Sequence, residues 1–173
     1  LTASPPTTHR GPDAANVARK HEAGTIQLGD PGVALSRAAG LTIPPGRSMW
    51  MFRCPSSVTA NWHEITVFQQ TLHMHEIGDM MSLEVQDAQS AVVSRPNSVE
   101  YFDFAHQDST LVQPFQIKPG DALTTRCFFN NPRSTNVPFG QGSDEEMCID
   151  FITYYPYLEE NKDNLGATQY CGL

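Results

Sequence analysis

From Ala23 onward, short runs of apolar and β-branched residues alternate with turn-forming residues. Thr25-Ile26-Gln27-Leu28 is followed by Gly29-Asp30-Pro31-Gly32, Leu41-Thr42-Ile43 by Pro44-Pro45-Gly46, and Ser48–Phe52 by Cys54-Pro55. Runs this short, punctuated by glycine and proline, predict the strands of a sandwich or barrel. The longest run, His63–His75 (HEITVFQQTLHMH), is rich in β-branched and aromatic side chains and has no helix cap ahead of it, so it reads as one strand. Met80–Val85 and Ala91–Ser94 are the next candidates. Leu111–Ile117 then leads into a Lys118-Pro119-Gly120-Asp121 turn, Ala122–Phe129 comes after it, and Met147–Tyr155, closed by Pro156, is the last. The many prolines and β-branched residues leave helix a minor role.

Residues 1–22 differ from the rest of the chain. Ser4-Pro5-Pro6 and Gly11-Pro12-Asp13 break the backbone and no apolar period runs through them, so the segment reads as a linker or N-terminal arm, with the domain expected over residues 23–173. At 173 residues the chain is long enough for one domain with a real core. No internal repeat or low-complexity tract interrupts it.

Charge narrows the range of partners. The formal net charge is −8, with 11 Lys plus Arg and no basic run, which argues against nucleic acid or an anionic membrane surface as partner. No apolar stretch approaches the roughly 20 residues that span a bilayer, and residues 1–20 lack the basic-then-apolar order of a signal peptide. The chain reads as soluble, with any targeting signal removed or outside this sequence. Four cysteines, Cys54, Cys127, Cys148 and Cys171, contain no C-x-x-C pair. They fit either two disulfides in an extracellular or secretory-lumen setting or four buried thiols.

Two histidines stand out. In a strand, His73 and His75 of Leu72-His73-Met74-His75 project from one face, ~7 Å apart at the backbone, and can converge on an ion. The pattern alone does not establish a metal site, since two satisfied or exposed histidines serve it as well and H-x-H recurs by chance. Met147, in Glu145-Glu146-Met147-Cys148 on a second candidate strand, is either a core residue or a thioether donor, and a thioether suits Cu(I) far better than zinc, calcium or magnesium. Asp144-Glu145-Glu146 lacks the spacing of a calcium loop and reads as a solvated turn. Serine-hydrolase and phosphate-loop signatures are absent.

Six segments, AGTIQLG (Ala23–Gly29), TIPP (Thr42–Pro45), ITVFQQTLHMHEIG (Ile65–Gly78), YFDFAHQD (Tyr101–Asp108), IKPGDALTTRCFFNN (Ile117–Asn131) and GSDEEMCIDFITYYP (Gly142–Pro156), occur in an order that resembles the C-terminal domain of the copper type II ascorbate-dependent monooxygenases. The likeness covers roughly residues 23–171 and is closer to the dopamine β-hydroxylase branch than to the peptidylglycine α-hydroxylating branch.

The resemblance implies an all-β, antiparallel, jelly-roll-like β-sandwich of about eight or more strands, with disulfides Cys127–Cys148 and Cys54–Cys171. It further implies one catalytic copper ion on His73, His75 and Met147, with dioxygen and ascorbate as co-reactants of a C–H hydroxylation. The electron-supplying copper of such enzymes sits on three histidines in an N-terminal domain that these residues do not include, so that domain is an expected partner, with a small-molecule substrate if the chain is catalytic. The remaining histidines, His9, His21, His63 and His106, read as structural or exposed, although His106, inside YFDFAHQD, could approach the ion if its loop bends inward. Thr71 stands where the peptide-hydroxylating branch carries an arginine that grips a carboxylate, and Phe151 where many members carry tyrosine. The alternatives are a non-catalytic extracellular adhesion or assembly module on the same sandwich, and a secreted copper carrier.

Overall fold

A computed structural model describes residues 22–95 and 98–158. The expected arm up to residue 21, with His9 and His21, and also Cys171 lie outside the described residues.

The described chain is built from antiparallel strands with two short helices: β1 (Gly24–Gly29), α1 (Val33–Ala38), β2 (Thr42–Ile43), β3 (Gly46–Cys54), α2 (Ser56–Thr59), β4 (Ile65–His73), β5 (Gly78–Gln86), β6 (Val92–Ser94), β7 (Ser98–Val99), β8 (Thr110–Ile117), β9 (Ala122–Asn131), β10 (Val137–Pro138) and β11 (Ile149–Tyr155). One sheet has the order β1-β11-β4-β8 and the other β3-β9-β5-β6, with β7 added to β5; β2 and β10 form a small ribbon. Among the described residues no helix is long and apolar enough to cross a membrane.

Alternation along the strands buries one face of each sheet against the other. Ile26 and Leu28 of β1, Ile65 and Val67 of β4, and Ile152 and Tyr154 of β11 meet Leu83 and Val85 of β5 and Leu123 of β9 in one cluster. A second cluster brings Leu72 and Met74 against Phe52, Met81 and Phe129. Each such side chain contributes about 1.5–3 kcal/mol when fully buried. That burial sets the register: a one-residue slip would carry every one of them to solvent.

One disulfide, Cys127–Cys148, lies among the described residues and ties β9 to the segment entering β11. No described cysteine is free. The second expected bridge, Cys54–Cys171, involves a residue outside the described ones; Cys54 itself is buried.

Two sequence-based element boundaries need correction. The run expected as a strand through His75 pairs only as far as His73, and the strand expected from Met147 begins at Ile149. His75 and Met147 therefore sit in the connections just beyond strand ends. The hydrogen bonds that replace the ladder there shape the candidate site.

Candidate metal centre

His73 points away from the core because of an irregularity in β4. Ile65 and Val67 are buried, and strict alternation would then bury residues 69, 71 and 73; instead Gln70, Leu72 and Met74 are buried and Gln69, Thr71 and His73 are partly exposed. The pairing to β8 and to β11 skips Phe68, a β-bulge that takes up one residue and inverts the phase beyond it. His73 is consequently delivered to the outer face of the sheet, beside its register partner Ile149 on β11.

Beyond His73 the chain turns. Met74 is fully buried and pins the turn to the second core cluster. A Cβ on Gly78 would lie 2.8 Å from the Met74 Cβ and 3.0 Å from the Phe102 ring, so only glycine lets the return strand pass this closely. The His75 ring comes back beside that of His73, with centroids 5.2 Å apart and planes at 81°.

Each imidazole is held at Nδ1. Gln107 donates its Nε2–H to the Phe104 carbonyl at 2.9 Å, which orients its Oε1 toward His73 Nδ1, 2.6 Å away. His75 Nδ1 lies 3.2 Å from the Glu145 carbonyl, which can only accept. With acceptors at Nδ1, the tautomer that carries its proton there leaves the Nε2 lone pair open on each ring, the arrangement in which metal-binding histidines are oriented by an outer partner. Burial, aided by the neighbouring His75, lowers the proton affinity of His73 against the opposing Gln107 bond, which favours the neutral ring.

Met147 reaches the same place from the opposite segment. It is half-buried and lines, with His73, Ile149, Phe151 and residues of α1, a cavity of about 740 Å³ on the outer face of the sheet. Three attachments hold its backbone. Cys148 is bonded to Cys127 of β9. Asp30 accepts the Cys148 N–H at 2.9 Å and donates its own N–H to the Cys148 carbonyl at 2.8 Å. Gly29, at φ 133°, lies so close that a Cβ would fall 1.9 Å from that carbonyl oxygen.

The third attachment is Glu146. Its buried carboxylate accepts the N–H groups of His75 at 2.8 Å, Ile77 at 2.8 Å and Met147 at 3.2 Å. Burial raises its proton affinity and these three donors oppose the rise. The acidic run expected as a solvated turn therefore needs correction: only Asp144 is exposed, Glu145 pairs with Arg37, and Glu146 is fully enclosed.

His73, His75 and Met147 are brought to one region. Among the described residues no group of three or more His, Cys, Asp or Glu is placed to hold an ion. His106 does not join them: it is exposed and bonds Asp103 at 2.7 Å, while its neighbour Gln107 is the residue that reaches His73. His63 is exposed and is not among the residues lining the cavity. Gln107, Glu146 and Asp30 are the site residues that sequence reasoning missed, because each acts through a backbone or ring contact far away in the chain.

Residues 22–170 match the family model described as copper type II ascorbate-dependent monooxygenase, C-terminal domain. Among curated proteins, the chain is 31% identical to tyramine beta-hydroxylase of Caenorhabditis briggsae, over 82% of this chain and 24% of that protein. It is 29% identical to dopamine beta-hydroxylase of Canis lupus familiaris, over 82% of this chain and 23% of that protein. With peptidyl-glycine alpha-amidating monooxygenase A of Xenopus laevis it shares 27% identity over 72% of this chain and 13% of that protein. The chain thus spans a quarter or less of the length of these relatives.

Proposed function

Since the chain belongs to the copper type II ascorbate-dependent monooxygenase family through its C-terminal domain, we propose that it binds one copper ion through His73, His75 and Met147 and serves as the substrate-hydroxylating half of a two-domain enzyme. The observation that carries this reading is the pair of adjacent imidazoles, each tied at Nδ1 by an acceptor, of which His73 lines a cavity together with Met147. Two nitrogen donors and one thioether match the preference of Cu(I) over harder ions.

When bound, copper supplies the one-electron redox chemistry that dioxygen requires, with ascorbate as the ultimate reductant. The chain's own residues orient and shield. Gln107 and the Glu145 carbonyl hold the ring tautomers, and Glu146 spans the two donor segments. Ile149 and Phe151 give the cavity an apolar wall against which the body of a substrate can pack. Among the described residues Arg37 is the one guanidinium lining the cavity, and it is paired with Glu145. A substrate carboxylate thus finds no unpaired guanidinium there, which supports a substrate gripped by its apolar body.

On this reading the second electron comes from a separate three-histidine copper domain, and the protein works outside the cell or in the secretory lumen, where the Cys127–Cys148 bridge is stable. The test is copper per chain after reconstitution and exhaustive dialysis. One equivalent is expected, falling toward zero in His73→Ala and His75→Ala. Binding unchanged in both variants would refute the assignment and leave the sandwich as an adhesion or assembly scaffold. Substrate-dependent oxygen consumption is expected only when the three-histidine domain is supplied.

A further inference from the structure

Behind the outer-face site, on the inner face of the same sheet, two buried polar side chains meet in an incomplete way. Gln70 of β4 donates its Nε2–H to Asp150 Oδ2 of β11 at 2.6 Å. Both residues are essentially inaccessible, at 1% and 0% exposure. The remaining oxygens, Gln70 Oε1 and Asp150 Oδ1, find no hydrogen-bond partner among the described residues. Two orphaned acceptors on one already bonded pair are costly, about 1–3 kcal/mol for each group left unmade.

A single proton removes both defects. A carboxylic acid and a primary amide are complementary: the amide N–H meets one carboxyl oxygen while the acid O–H meets the amide oxygen. We propose that Asp150 is a protonated acid whose Oδ1–H donates to Gln70 Oε1, and that this one-proton latch joins β4 to β11, the two strands leading to His73 and from Met147. The positions suit the role. Asp150 is in register with Leu72, and Gln70 with Ile152, so the pair spans the strands diagonally. Gln70 precedes His73 by three residues and Asp150 follows Met147 by three. The latch does not depend on the copper reading, since it is made from the chain's own groups.

The surroundings agree. Burial is what drives the Asp150 carboxyl up to about 7, against the lowering by Gln70, and no charged group contributes. None of the titratable groups on the neighbouring elements contributes to that rise. His73 is on the opposite face of β4, and Asp30, beyond β1, is engaged with Gly32 and Cys148. On the facing sheet Glu84 is taken up by Arg126 and Arg95. Asp103, His106 and Asp108, from the loop before β8, line the cavity that Gln70 borders, with Asp103 and His106 bonded to each other.

Linkage fixes the sign. Asp150 holds its proton more tightly in the folded chain than in the unfolded one, so the latch's stability is whole below about pH 3.9, the unfolded value. It is lost as pH rises toward about 7, and is constant above that. Asp150→Asn replaces the acid O–H with an amide N–H and keeps both bonds without a proton.

Two measurements on the full, metal-free chain test this. In carbon NMR of chain labelled at the aspartate carboxyls, Asp150 is expected to titrate with a midpoint near 7, apart from the other aspartates. The melting temperature of Asp150→Asn minus that of the parent is expected to widen as pH is raised from about 4 to about 7 and then level off. A midpoint for Asp150 in the ordinary aspartate range, below about 5, or a difference in melting temperature that does not change with pH, would overturn the latch. The first measurement needs no variant, so a misfolded Asp150→Asn leaves the proposal testable.

Discussion

The carboxylate of Glu146 accepts the backbone N–H of His75 at 2.8 Å across 71 positions of sequence. The same carboxylate takes the N–H groups of Ile77 and Met147. One side chain thereby joins the turn that carries one candidate ligand to the segment that carries another. Both segments lie outside the strand ladders, where backbone groups need a partner from elsewhere.

Glu146→Ala should therefore act on stability and on metal binding together. Three N–H groups, two of them buried, lose their acceptor, an expected loss of about 2–4 kcal/mol by denaturant melt. Glu146→Gln keeps one acceptor oxygen and should cost less than half as much. An alanine variant as stable as the parent would mean that the turn is held by other contacts.

Gln107 is expected to tune the site without building it. Gln107→Leu removes the acceptor at His73 Nδ1 while leaving the imidazole in place. Copper affinity should fall by roughly 10–100-fold, the usual effect of removing an outer partner of a metal-binding histidine, with the melting temperature of the metal-free chain almost unchanged. His106→Ala, next to it in sequence and exposed, should change neither quantity.

Much of the fold can be read in the chain because its strands are short, alternating and bounded by glycine and proline. Ile26-Gln27-Leu28 and Ile152-Thr153-Tyr154 declare an inner and an outer face by composition alone, and helix proves to be minor. Phe68 marks where such reading ends. A bulge depends on how β4 pairs with β8 and β11, and nothing in Val67-Phe68-Gln69 announces it. The H-x-H pattern suggested two ligands on one strand face, whereas the rings meet because a bulge turns His73 outward and a tight turn brings His75 back. Glu146 resembled a surface acid in a run of acids, and only the backbone N–H groups it serves explain its burial.

Acid should weaken the second sheet through Glu84. Burial alone would raise its proton affinity, but hydrogen bonds from Arg126 and Gln86 and the charges of Arg126 and Arg95 outweigh it and lower the value. A lowered carboxyl contributes stability above its unfolded value of about 4.3 and loses it as pH falls through the folded value. Glu84→Gln should destabilise the chain by about 1–3 kcal/mol at neutral pH, and the gap to the parent should close in acid. A gap that stays constant down to acid pH would show that the ion pairs contribute nothing.

The Cys127–Cys148 bridge closes a separation of 21 residues. Replacing both cysteines by alanine should cost about 3 kcal/mol by the loop-closure relation. Because Met147 adjoins Cys148, copper retention should fall more than that of a surface double variant of equal stability. Equal retention in the two would limit the bridge to a role in stability.

The most direct test of the ligand set is X-ray absorption at the copper edge of chain loaded with one equivalent of Cu(I). Two imidazole nitrogens and one sulfur are expected around the ion, with the sulfur contribution gone in Met147→Leu and imidazole lost in His73→Ala. A first shell without sulfur, or a sulfur signal that survives Met147→Leu, would contradict the assignment of His73, His75 and Met147 as the copper ligands.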